Sequence, residues 1–296
     1  DIFGQLPNLE EVDFWLSMLT ASGPKTVPEW LQELLDPDGD ITFTWKNYTE
    51  FESPAPYYCL EFMTEEITED MEDAIIQLKG GETFDCESLK ACKQLKTLAI
   101  AGDKLMCTDQ VLHLEALKEL PHLAVLSLYG VEADLDGIEE FPALRELYLT
   151  GRAITGVSSL QQCSSLQELY VYPAEEDMAA PLSEALKNLP ELRYLYVHGY
   201  AWGKRDVKKL LKGLEKAEKL QTLVLGIDSD AAAALEEMPE GPALKNLFLF
   251  ANSKNTTVNL ESIEFNDSLE SFYCDIGTHG LTEFIEAHPN LVSVQV

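Results

Sequence analysis

Aromatic side chains recur in this chain at a fixed offset between apolar residues, and the offset makes them candidates for chemistry. Tyr148, Tyr170, Tyr196, Phe248 and Tyr273 each stand between two apolar residues of a short repeated phrase. Two residues further on come Tyr129, Tyr172, His198 and Phe250, while Tyr194 sits two residues before Tyr196. If successive phrases form neighbouring parallel strands ~4.8 Å apart, these side chains fall into adjacent files on one face. Rings of this kind supply flat apolar area with a polar edge, a combination that serves interfaces well. Arg145 and Arg193 follow their leading leucines directly, and a guanidinium there can grip an acidic group on a ligand. The chemistry is therefore non-covalent recognition. A purely structural use competes with it, because aromatic residues favour strands and neighbouring rings stabilise a sheet. A binding surface requires Tyr148, Tyr170, Tyr196, Phe248 and Tyr273 to be substantially exposed; a scaffold requires only that they touch each other.

Other chemistries find little support. Asp36-Pro-Asp38-Gly-Asp40 resembles the start of a calcium loop, but Ile41 and Asn47 stand where the loop needs Gly and Glu. A turn before a strand explains the same residues. His113, His122, His198, His279 and His288 make no metal-ligand spacing, and no nucleophile, phosphate-loop or dinucleotide motif occurs. No cofactor and no catalytic residue is expected; Cys59 and His198 lack a sequence partner. Cys92 and Cys163 precede strands at an apolar position and Cys274 takes a core position, so these read as small hydrophobes. Asn47, Asn255 and Asn266 begin glycosylation sequons that matter only in a eukaryotic secretory pathway.

The elements that position the rings come from the repeat. Leu123-Ala-Val-Leu126-Ser-Leu128, Leu144-Arg-Glu-Leu147-Tyr-Leu149 and Leu166-Gln-Glu-Leu169-Tyr-Val171 begin a series that continues from Leu192, Leu220 and Leu244. The leading leucines are spaced 21, 22, 26, 28 and 24 residues apart. Copies from Leu95, Leu269 and Leu291 extend it, with weaker ones at Leu9/Val12/Phe14, Ile41/Phe43 and Tyr57/Leu60/Phe62. Alternation over each second half is the signature of a strand buried on one side, and repetition at this period means a solenoid. Leu126, Leu147, Leu169, Leu195, Leu223 and Leu247 should form one buried file. Between strands, residues 204–219 read as an amphipathic helix through Val207, Leu210, Leu211 and Leu214. Residues 68–78 read as a helix through Met71, Ile75 and Leu78, and residues 229–238 as an Ala-rich one.

These phrases resemble leucine-rich repeats, whose pattern is L-x-x-L-x-L-x-x-N-x-L. Leu120-Pro-His-Leu123 and Leu189-Pro-Glu-Leu192 carry the match backward. The resemblance implies an α/β solenoid, a curved horseshoe with a parallel sheet on the concave face and helices or turns on the convex face. Residues 1–296 read as a single domain of about twelve repeats, more irregular and acidic over 1–90 and clearer over 91–296. The family's asparagine appears only as Asn252, while Val131, Arg152, Ala174 and Tyr200 replace it, so turn amides need other partners.

With 52 acidic and 21 basic residues the net charge is −31, a field that repels nucleic acid and anionic lipid. No apolar run is long enough to span a membrane. A protein or peptide ligand on the aromatic face is the expected partner; a glycan stacking on Tyr faces, or a structural or targeting role in a longer protein, are the alternatives. The ends look uncapped, which leaves a route to self-association. A start at Asp1 and not Met reads as a cut start: a removed leader would favour a secreted or cell-surface protein, and without one the composition suits the cytoplasm. The basic run Lys204, Arg205, Lys208, Lys209, Lys212 and Lys216 reads as a solvated convex face or as a head-to-tail contact with the acidic N-terminal part of another copy.

Overall fold

A computed structural model describes residues 11–16, 42–47, 67–78, 84–102, 111–150, 154–172, 178–199, 202–238, 242–251, 257–261, 263, 268–275 and 277–295. In chain order its strands are β1 (Glu11–Leu16), β2 (Thr42–Asn47), β3 (Asp73–Leu78), β4 (Thr97–Gly102), β5 (Val111–His113) and β6 (Val125–Tyr129). There follow β7 (Glu132–Asp134), β8 (Glu146–Thr150), β9 (Ile154–Thr155), β10 (Glu168–Val171), β11 (Tyr194–His198) and β12 (Thr222–Ile227). Last come β13 (Asn246–Ala251), β14 (Thr257–Asn259), β15 (Ser271–Cys274), β16 (Gly277–His279) and β17 (Ser293–Gln295). Twelve of them form one sheet, ordered β2-β1-β17-β15-β13-β12-β11-β10-β8-β6-β4-β3.

The repeated phrase sets the register. Leu126 pairs with Leu147, Leu147 with Leu169, Leu169 with Leu195, Leu195 with Leu223 and Leu223 with Leu247. All six expose none of their surface. Leading leucines and the second strand leucine join the same core, which runs from Ala74 to Val294. At the start of each strand two consecutive amides share one carbonyl of the previous repeat. The Lys96 and Thr97 amides donate to Glu72 O at 2.7 and 3.2 Å, and those of Ala124 and Val125 to Lys96 O at 2.8 and 3.0 Å. The same double bond is made to Ala124, Arg145, Gln167, Arg193, Gln221, Lys245 and Glu270.

Opposite the sheet the chain returns through short 3₁₀ turns, Cys86–Leu89, Glu115–Glu119, Ile138–Glu140 and Val157–Gln162, or through helices where the spacer is longer. The amphipathic helix expected over 204–219 is present as Lys204–Gly213 with a 3₁₀ turn Leu214–Lys216; Val207, Leu210, Leu211 and Leu214 are buried. Its Lys208 pairs with Glu237 and its Lys209 with Asp206, so part of the basic face meets acids of its own chain. The Ala-rich segment is shorter than expected, a helix Ser229–Ala232 and a turn Leu235–Glu237. No described helix is long and apolar enough to cross a membrane.

Two expectations are corrected. Residues 73–78 form strand β3, not a helix: Met71, Ala74 and Ile76 take the first, fourth and sixth places of the phrase, and Ala74 and Ile76 pair with Leu98 and Ile100. The apolar spacing suited either structure; the amides and carbonyls along the edge of β4 decided it, since an uncovered edge leaves them unpaired. Strand order also departs from chain order. β1 and β2 lie beyond β17, with Val12 opposite Val294 and Phe43 opposite Val12, so the weak early phrases are strands in the array's register but at the other end. The Tyr57/Leu60/Phe62 copy and the Asp36–Asp40 turn lie outside the described residues.

Where Val131 and Asp228 stand in place of the pattern's asparagine the turns have other hydrogen bonds, while Arg152, Ala174, Tyr200 and Asn252 lie outside the described residues. β5, β7 and β9 form a second parallel ladder alongside the main sheet, and β14 pairs with β16 in another. Leu135 N donates to Thr155 O at 3.0 Å and Gly130 N to Thr150 O. Gly130 has φ 62°, a left-handed conformation that glycine adopts without strain. Asp228 caps the helix after it by accepting from Ala231 N at 2.9 Å.

Leu195 packs without exposure at the middle of the buried file, so Leu195→Ala should destabilise the chain by about 2–5 kcal/mol. Urea denaturation measures this, and a loss under about 1 kcal/mol would place Leu195 outside a close-packed core.

Candidate interaction surface on the open sheet face

Leucines one, four and six of each phrase enter the core, so residues three, five and seven line the opposite face of the sheet. The fifth-residue file runs Tyr148, Tyr170, Tyr196, Val224, Phe248, Tyr273 across β8, β10, β11, β12, β13 and β15. The third-residue file runs Glu146, Glu168, Tyr194, Thr222, Asn246, Ser271 over the same strands. In the seventh-residue file Tyr129 opposes Thr150, and His198, Gly226 and Phe250 stand side by side. Tyr172 follows β10 and meets His198 edge-on at 5.1 Å. One parallel ladder, leucine files on one side and variable residues on the other, repeat after repeat, decides the architecture. It is a leucine-rich repeat solenoid.

In this solenoid three of the rings are less exposed than expected, and the others keep part of their surface open. Tyr148 and Tyr170 are 6% exposed and Tyr273 is 3% exposed, which overturns the expectation of open rings at these three positions. The reason lies in the stacking. Tyr148 and Tyr170 lie ring on ring at 4.2 Å, and Tyr170 also stacks on Tyr194 at 4.7 Å and on Tyr196 at 5.8 Å. Tyr273 packs against Phe250 at 5.1 Å and Phe248 at 6.0 Å. Tyr129, Tyr172, Tyr194, Tyr196, His198, Phe248 and Phe250 are half-buried. Between the two ring clusters lies a gap at Val224 and Gly226. A Cβ on Gly226 would overlap the His198 ring, so the gap is also what lets His198 lie flat over β12.

Sequence reading missed two carboxylates. Glu146 and Glu168 are directly opposed on β8 and β10, both half-buried. The Tyr148 hydroxyl reaches Glu146 Oε2 at 3.0 Å and Glu168 Oε2 at 3.4 Å. Burial first, and then the Glu146 charge, raises the Glu168 carboxyl above its ordinary range; hydrogen bonds from Tyr148 and Tyr170 partly oppose this. Burial likewise pushes the Tyr170 and Tyr194 phenols far above their usual range, with Tyr194 and Glu168 adding to the effect on Tyr170. The phenols therefore remain protonated donors around the acids. A signal existed: both glutamates hold the third place of a phrase whose fifth place is Tyr, in two consecutive repeats.

Arg145 and Arg193 are exposed at the strand entrances, at the margin of this face. Arg193 adds to the effect of Lys219 in holding Glu191 below the usual carboxylate range, so its charge is partly used within the chain. Lys219 bonds Glu191 at 2.6 Å, Lys96 bonds Glu72 at 2.6 Å and Lys245 bonds Glu270 at 2.7 Å, each across one repeat junction. Cys86, Cys92, Cys163 and Cys274 are free and buried. Burial pushes the Cys86 thiol up to about 11 and that of Cys163 up to about 12, which disfavours the reactive thiolate. Among the described residues no group of three or more His, Cys, Asp or Glu side chains could hold a metal ion.

No protein-family model matches the sequence, and no curated protein matches it. Among solved structures the chain is similar to an internalin (inlF) of Listeria monocytogenes str. 4b F2365, at 15% identity over 75% of this chain and 60% of that one, with a TM-score of 0.46. It spans, then, 60% of that internalin's length. An internalin C2 (inlC2) of the same organism matches at 21% identity over 56% of this chain and 68% of that one, TM-score 0.36. TLR13, in a complex with ssRNA13, matches at 14% identity over 76% of this chain and 45% of that one, TM-score 0.28.

Glu168 carries a pH dependence. A folded-state value raised above the unfolded one means that ionised Glu168 costs stability at neutral pH, and that this cost disappears below the ordinary carboxylate value. Glu168→Gln should raise the melting temperature at neutral pH, with the gain shrinking as pH falls through the carboxylate range. Thermal melts of both proteins across pH check it; a gain independent of pH, or a loss at neutral pH, contradicts the assignment.

Proposed function

We propose that this solenoid is a non-catalytic recognition module that holds a protein or an extended peptide on the aromatic face of its sheet. The observation that carries the reading is the in-register run of aromatic side chains on β8, β10, β11, β13 and β15, on the face the core does not use. Within it the residues divide by exposure. Tyr172, Tyr194, Tyr196, His198, Phe248 and Phe250, with Tyr129 at one side, are half-buried and keep edges for a ligand to cover. Tyr148, Tyr170 and Tyr273 are the stacked floor that holds them. Arg145 and Arg193 stand at the margin, where they meet acidic groups of the partner. A peptide suits this surface better than a glycan, because a sugar needs a free ring face and the Tyr148–Tyr170–Tyr194 stack uses its faces internally.

Panning a random peptide library on the full chain, followed by binding to variants, tests the reading. Selected peptides should lose about tenfold or more in affinity for Tyr196→Ala/Phe250→Ala, whose melting temperature stays near that of the parent. Tyr170→Ala, by contrast, should lower stability by about 1–4 kcal/mol because it empties the middle of a stack. Selected peptides that bind the double variant as tightly as the parent, or that protect the convex turns from hydrogen exchange instead of this sheet, would sink the proposal.

A further inference from the structure

We propose that the partner held on this face presents an arginine or lysine side chain, which seats between Glu146 and Glu168 beside the rings of Tyr170 and Tyr194. The inference rests on the recognition reading above and names the chemistry of its occupant. Directly opposed like charges on neighbouring strands destabilise a sheet, yet β8 and β10 place two carboxylates at one register position, half removed from water. The Tyr148 hydroxyl, with one proton to donate, reaches both, and Tyr170 also bonds Glu168, so neutral phenols are the donors the structure shows them. A guanidinium offers five donors in a planar fork and an ammonium three, so either would give both acids a charged partner. Tyr194 lies directly beside Glu168 in the same file, so ring area stands next to the acids to cover the apolar stem of such a side chain.

Charge complementarity extends past this pair. At the third, fifth and seventh places from β3 to β17 the formally charged residues are Asp73, Glu146, Glu168 and Asp275, all acidic. The lysines nearest this face stand at the second place, and Lys96 and Lys245 are taken by Glu72 and Glu270 of the adjoining repeats. From β3 to β17 these places are therefore aromatic and acidic, with Arg145 and Arg193 only at the margin, and a segment that carries a basic residue is what the acid pair complements.

The test uses the full chain and three short fluorescent peptides of one sequence frame, carrying arginine, glutamine or glutamate at the variable places. Because a net charge of −31 attracts any basic peptide, the comparison is between two variants of equal charge change, Glu146→Gln/Glu168→Gln on the face and Glu215→Gln/Glu218→Gln on exposed convex residues. Fluorescence anisotropy should show the arginine peptide binding tightest, weakened about tenfold by the first variant and less than about twofold by the second. Thermal melts confirm that both variants fold. Equal weakening by the two variants, or no preference for the arginine peptide over the glutamine one, overturns the cationic anchor. If library-selected peptides then still depend on Tyr196 and Phe250 but not on Glu146 and Glu168, the recognition reading survives without it. If no peptide depends on either set, both fall.

Discussion

Two consecutive amides sharing one carbonyl of the repeat before is the interaction on which the remainder of this structure depends. It is made by residues two and three of the phrase at each junction from β3 to β17, with side chains as different as Lys96, Ala124, Arg145, Gln167 and Glu270 contributing the carbonyl. Because the bonds are backbone to backbone, they fix register without constraining side-chain type. Once register is fixed, the period of two in a strand sends leucines four and six to one face and residues three, five and seven to the other. A one-residue slip would exchange the two faces, so the leucine file and the double amide bond enforce each other. The solenoid can therefore vary its open face freely, and it is there that the chain differs from repeat to repeat.

That freedom is used unevenly. Over β4 and β6 the open face holds small residues such as Ala99 and Ser127; over β8, β10 and β11 it holds a stack of tyrosines around two acids; over β13 and β15 it holds Phe248, Phe250 and Tyr273. Stacking makes the rings partly self-sufficient, with the central ones serving as support and the outer ones keeping edges towards solvent. The structural and the recognition uses of these aromatics are thus not exclusive. Tyr148, Tyr170 and Tyr273 answer to the first, and Tyr194, Tyr196, His198 and Phe250 are the half-buried rings on which the proposed recognition rests.

Acidity is distributed with a pattern as well. Along the strand entrances and convex turns several lysines meet a glutamate of a neighbouring repeat or turn, as Lys90 meets Glu119 at 3.2 Å and Lys118 meets Glu140 at 3.2 Å. Such exposed pairs contribute little individually, roughly 0–1 kcal/mol. Their consequence is compositional: much of the basic charge is drawn into pairs on the flank, while Glu146 and Glu168 on the open face are hydrogen-bonded by phenols.

The sequence by itself determined the leucine files, the main-sheet strand positions from Leu95 onward, the amphipathic helix at Lys204 and the membership of the aromatic files. All of these follow from local periodicity, which the chain carries in its own order of residues. Only the tertiary structure decided the matters that depend on which strands become neighbours. Tyr148, Tyr170 and Tyr273 are covered because adjacent strands bring another ring against each, and exposure cannot be counted along one strand. Glu146 and Glu168 become a coupled pair for the same reason, 22 residues apart in sequence and opposed in space. Residues 73–78 became a strand, and β1 and β2 took the far side of β17, because a parallel ladder leaves unpaired edge groups that any segment in register can satisfy. Local pattern set what each repeat is; long-range edge pairing set which side chains meet.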